Sequence, residues 1–145
     1  MTVHLVKLCV GCDSIEDLAA WQKKRLADQR RKGVKKPVLR HVTRNTPKRG
    51  AELIDGGSIY WVIKGVIRVR QRIVDMKAVV SDGEPHCALI LDRKLVRVVP
   101  RGMRAFQGWR YLEASAAPAD LGERKDGLVD MPPQMVDELR ELGLL

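Results

Sequence analysis

The sequence predicts an α+β domain, with a mixed or antiparallel sheet of five to six strands and three helices. Three observations carry that reading. Alternation of apolar and polar side chains runs from Ile59 to about Val74, the pattern of a half-buried strand. Ile15, Leu18, Ala19 and Leu26 recur at helical spacing between a capping signal and Gly33. Short apolar runs, such as Cys87-Ala88-Leu89-Ile90-Leu91, lie between glycine, proline and Asp-Gly turn signals. A length of 145 residues fits a single domain. Within 1–145, residues 1–112 are expected to form the core unit, 113–130 an irregular segment and 131–143 a C-terminal helix.

The elements follow in order. Residues 3–10 read as a first strand. Asp13 and Glu16 make a capping-box pattern, with Ser14 as an alternative cap, for a helix reaching about Lys32. Trp21 sits off the apolar stripe of that helix. Gly33 suits the left-handed position after a helix end. Residues 38–43 alternate as a second strand. Thr46 as N-cap and Pro47 as first helical residue open a short helix ending at Gly56-Gly57. The alternation over 59–74 predicts one long strand, or two joined at Gly65, with its odd positions in the core. A mid-strand glycine marks a bulge or bend, and a bent long strand suits a small, partly closed barrel. Ser81-Asp82-Gly83 is a turn, 87–91 a buried strand, and 95–99 a strand ended by Pro100. Residues 101–112 read as a loop. Asp130 and Pro132 begin the last helix, with Met135, Val136, Leu139 and Leu142 on one side.

Composition narrows the function. No run approaches the length of a membrane span, and the first ten residues are broken by His4 and Lys7, so a cytoplasmic protein without membrane association is expected. Three cysteines, Cys9, Cys12 and Cys87, are an odd number and argue against a disulfide framework. The net charge of +9 is concentrated: residues 23–72 hold sixteen Lys and Arg against Asp28, Glu52 and Asp55. Such a concentration is the electrostatic footprint of a nucleic-acid binder.

Four groups of residues could carry chemistry. Arg44, Lys48 and Arg49 surround the predicted helix start at Thr46, where bases oppose the helix dipole and invite an anion. Lys64, Arg68, Arg70 and Arg72 fall on the even face of the predicted long strand, at a spacing close to that of successive phosphates, with Tyr60 placed to stack on a base. An ordinary polar outer face is the competing reading. Gln107, Trp109 and Arg110, in an aromatic loop with Phe106 and Tyr111, could clamp a base or simply cap the core. Cys9 and Cys12, with Cys87 and His86 or His41, nominally offer four zinc ligands, but a lone Cys-x-x-Cys points to plain structure, so no metal and no cofactor is expected. No nucleophile elbow, P-loop, zinc-protease or dinucleotide motif is present, so no catalytic residue is assigned.

The stretch Thr46-Pro47-Lys48-Arg49 … Asp55-Gly56-Gly57-Ser58-Ile59-Tyr60-Trp61-Val62-Ile63-Lys64-Gly65, the opening His4-Leu5-Val6-Lys7-Leu8-Cys9-Val10-Gly11 and the Phe106–Tyr111 loop resemble the uncharacterised bacterial family DUF1489, a domain of unknown function. That resemblance implies no established activity. A short helix leading through Gly-Gly into a central strand is also similar to the architecture of PUA/ASCH-like domains. This resemblance implies a small pseudo-barrel and RNA or modified-base binding, without any matching binding residue. The expectation is a nucleic-acid-binding module without catalytic activity of its own, with RNA favoured over DNA. The alternatives are an accessory protein docking on an acidic protein partner, or an enzyme acting on a nucleotide or RNA.

Overall fold

The structure, a computed structural model, describes residues 2–104, 106 and 108–121. The chain runs β1 (Val3–Leu8), α1 (Ile15–Arg31), β2 (Leu39–Thr43), α2 (Gly50–Ile54), β3 (Ser58–Ile63), β4 (Val66–Ser81), β5 (Glu84–Leu91), β6 (Val96–Gly102) and β7 (Trp109–Glu113), with a 3-10 turn at Ala114–Ala116. The strands lie in the order β2-β5-β4-β3-β1-β7, and β6 pairs with the first half of β4. All neighbours are antiparallel except β1 and β3. The α+β class and the mixed sheet are therefore as expected, with seven strands in place of five to six. The sheet is not closed into a barrel, however, because β2 and β7 end the order without pairing to each other. The expected helix at 131–143 and most of the segment 113–130 lie outside the described residues.

The expected strand over 59–74 is a hairpin. The chain reverses at Lys64-Gly65, both with positive φ (50° and 77°), the two-residue turn whose twist matches its flanking strands. The long bent strand is β4 instead, which pairs with β3 and β6 along its first half and with β5 along its second. A register shift between Ile73 and Asp75 marks the change of partner. Odd positions Ile67, Val69, Gln71 and Ile73 are buried, as alternation requires. In β3 every residue is buried, since the strand has a core on each side. Ile59, Trp61 and Ile63 face the larger core, with Leu18 of α1 and Leu53 of α2; Tyr60 and Val62 face a smaller one, with Val98, Phe106 and Leu112.

Ser14 caps α1 by accepting a hydrogen bond from the Asp17 amide, and Asp17 in turn accepts one from the Asp13 amide. Asp13 itself is not the cap. Gly33 closes the helix at φ 89°. The inward stripe is Ile15, Leu18, Gln22 and Leu26; Ala19 is exposed. Gln22 is tolerated there because its amide exchanges two hydrogen bonds with Gln71, at 2.8 and 2.9 Å.

Three boundaries differ for tertiary reasons. α2 begins at Gly50, with neither Thr46 as cap nor Pro47 inside it, because the Arg49 amide donates to the Tyr111 hydroxyl (3.0 Å) and holds the preceding segment along β7. β6 continues through Pro100, which falls where the register with β4 shifts, between the pairs Val69–Arg97 and Ile67–Arg101. Residues 109–113, read as part of a loop, form β7 by pairing with β1.

Candidate nucleic-acid interface

Two adjoining concavities lie on one side of the sheet. The first, about 230 Å³, sits between α1 and the β1–β2 face, with Trp21, Gln22, Arg25 and Trp61 among its lining. The second, about 530 Å³, occupies the seam between the unpaired edges β2 and β7, walled by the segment from His41 to Lys48 and by Trp109 and Tyr111. Lys7 and His41 line both.

The register explains the meeting. Lys7 of β1 stands opposite Trp61 of β3 and Trp109 of β7, so the three side chains share one face as a row, aromatic, cation, aromatic. Trp61 is buried and donates its indole N–H to Gln71 Oε1 (3.2 Å), which fixes the ring. His41, inward-facing on β2, meets the Trp61 ring edge-on at 5.3 Å. On the α1 side Trp21 remains 48% exposed and carries the Arg25 guanidinium over its ring at 5.5 Å. Trp109 donates to the Asn45 carbonyl (3.3 Å) and so ties β7 to the loop holding Arg44 and Lys48.

The electrostatics are one-sided. Lys7, Arg25, Arg40, Arg44 and Lys48 line the two concavities, and neither lining includes an Asp or Glu. Among the described residues none of the five forms an ion pair. Burial, reinforced by the charges of Lys7 and Arg25, pushes the His41 imidazole down to about 4, so it is neutral at physiological pH. Its Nε2 is buried without a hydrogen-bond partner.

The sequence-predicted residues divide. Arg44, Lys48 and Trp109 come together in the second concavity. Arg49 does not join them: Glu52 accepts two hydrogen bonds from it (2.7 and 3.0 Å), Glu113 a third (2.6 Å), and the guanidinium lies over the Tyr111 ring. These carboxylates hold it protonated, and it clamps α2 to β7. On the other side of the sheet Tyr60 is buried in the smaller core with its ring edge-on to His4, so it offers no stacking face. Arg70 is taken up by both oxygens of Asp120 (2.7 Å each) and by Ser58 Oγ (3.0 Å). Lys64 occupies the hairpin turn, 3.8 Å from Asp13. Arg72 reaches the Ile54 carbonyl at 3.5 Å, and Arg68 projects from the same face of β4. Arg110 covers the Phe106 ring on the face opposite Trp109, and Gln107 lies outside the described residues.

Sequence reasoning missed Lys7, Trp21, Arg25, Arg40 and Trp61 as site residues. One signal existed: Trp21 stands off the apolar stripe of α1, where a large aromatic has no packing reason to be.

Cys9 and Cys12 are buried with their sulfurs 2.6 Å apart, and the thiol of Cys9 is pushed up by burial and by its neighbour. Among the described residues no three His, Cys, Asp or Glu side chains gather where a metal could bind, and no helix is long and apolar enough to cross a membrane.

Residues 5–145 match the model of the family described as a protein of unknown function, DUF1489. The chain belongs to the DUF1489 family. No curated protein and no solved structure matches it.

Proposed function

We propose that the protein is a nucleic-acid-binding module that takes a single-stranded stretch of RNA along the two concavities. One observation carries the reading: five basic residues line a continuous concave path with no carboxylate among them. Cations folded together without acids repel one another, and an anionic polymer removes that repulsion. Trp109 and Trp21 stand beside these cations, and aromatic faces next to basic residues are the means by which unpaired bases are held without strong sequence preference. The thiol of Cys9, which lines the first concavity, is pushed up by burial and by Cys12, which leaves it a poor nucleophile, and the reading is binding without catalysis. The kinship to PUA/ASCH-like domains stays at the level of a short helix leading into a central strand, since the sheet stays open.

The test is fluorescence anisotropy of a labelled single-stranded RNA as a function of salt. Log affinity is expected to fall against log salt by about 0.7 per phosphate contact, and Lys7→Ala with Lys48→Ala to remove about two contacts from the slope. A slope that the double variant leaves unchanged would take this path out of the interface. A labelled polyglutamate bound more tightly than RNA would instead favour the acidic protein partner.

A further inference from the structure

We infer that the concavity between α1 and the β1–β2 face is a receptacle for one unstacked nucleobase, with the phosphate of the same nucleotide held at its mouth by Lys7 and Arg25. The inference rests on the nucleic-acid reading and specifies its chemistry at one place.

Three properties of the concavity converge on that ligand. Its volume of about 230 Å³ lies below the ~300 Å³ at which pockets for drug-sized ligands begin, so it suits a single ring system. Its walls combine aliphatic side chains such as Leu18 and Leu39 with the indoles of Trp21 and Trp61, a lining for a flat, apolar-faced molecule. Its polar equipment is sorted by charge. Lys7 and Arg25 are cations suited to phosphate, whereas His41 in the same lining is held neutral by burial and by their charges. A neutral imidazole makes a poor partner for phosphate but a good one for the polar edge of a heterocycle, to which it can donate or from which it can accept.

The buried Nε2 of His41, with no partner of its own, is a polar group whose desolvation the fold leaves uncompensated. The His41 ring lines the concavity, so a base bonds that nitrogen, and recovers the loss, once the ring turns it toward the opening. Trp21 and Arg25 are exposed residues of the concavity's lining, and with Trp21 at 48% exposure its indole is available to lie against a bound base.

The experiment titrates the full chain with ribonucleoside monophosphates, with ribose 5-phosphate and inorganic phosphate as controls, and follows tryptophan emission. Mononucleotides are expected to quench it saturably and the two controls not to. His41→Phe removes the unpartnered nitrogen while keeping an aromatic ring, and is expected to weaken mononucleotide binding roughly tenfold. Trp21→Ala alters an exposed position on α1 and is expected to weaken it as well, so the conclusion does not depend on one variant folding. Binding of the longer RNA without saturable binding of mononucleotides overturns the receptacle and leaves the proposed function standing, as does equal binding of ribose 5-phosphate. Saturable mononucleotide binding without RNA binding supports the receptacle and overturns the extended path.

Discussion

The even face of β4 and the concave path beside β1 are both basic, and they differ in what the fold has done with the charge. On β4 the chain returns an acid to a cation, since Asp120 takes Arg70, and at the hairpin turn just before it Asp13 lies near Lys64. Arg49 at the start of α2 belongs with them, held by Glu52 and Glu113. Along the concave path Lys7, Arg25, Arg40, Arg44 and Lys48 meet no such partner among the described residues. In sequence the two groups look alike. The lesson is that a cation's availability depends on where distant carboxylates land, and Glu113 and Asp120 come from the acidic end of the chain, beyond β6 and remote from the cations they pair.

Replacing the compensated cations should therefore change stability and leave binding alone. The largest effect is expected for Arg70→Ala, which strands a largely buried Asp120 carboxylate and frees the strap around Ala114–Ala116; a loss of about 3 kcal/mol should appear in denaturant unfolding, with RNA affinity unchanged. An affinity loss there would erase the distinction between the two faces. Next in size is a pH effect. His41 is depressed from 6.5 to about 4 in the folded chain, so the unfolded chain binds more protons between those values. Stability is fully present above about pH 6.5 and declines as pH falls toward 4, by up to about 1.4 kcal/mol per pH unit for this group. His41→Phe should flatten much of that decline, with the remainder including His4, whose pKa burial and Arg70 also lower. A variant with an unaltered pH profile would show that His41 titrates normally.

Smaller again is the affinity change for Lys7→Ala and Lys48→Ala together, roughly tenfold at moderate salt, without a shift in melting temperature. The smallest expected effect is for Arg49→Ala: a modest fall in melting temperature with RNA binding retained. Weaker binding at unchanged stability would restore Arg49 to the interface.

Much of the fold was legible because local signals and tertiary structure agreed. Ser14, the helical stripe and Gly33 delimit α1, and Asp82-Gly83 makes the turn it announces. The hairpin at Lys64-Gly65 was obscured because lysine seldom signals a positive φ, and because the register shift at Trp61/Val62 returns the odd positions Val69 and Ile73 to the larger core that Ile59 and Trp61 face. β7 depends on β1, a hundred residues away, and nothing within 109–113 reveals its partner. The site was half visible for the same reason. Arg44 and Lys48 sit together in sequence. Lys7 and Arg25 become neighbours of theirs only through the sheet, and the bases late in α1 already had a sufficient local explanation in the helix dipole.

The double burial of β3 also has a consequence for the life of the chain before it folds. Ser58-Ile59-Tyr60-Trp61-Val62-Ile63 is an uncharged six-residue window with high strand preference and no proline, the composition that stacks into intermolecular sheets when left uncovered. During synthesis it emerges before β4, its hairpin partner, exists. Lys64 follows it directly, and a charge at that boundary acts as a gatekeeper against self-association. The residue that makes an improbable hairpin turn is thus also the one that keeps the most adhesive stretch of the nascent protein from finding another copy of itself.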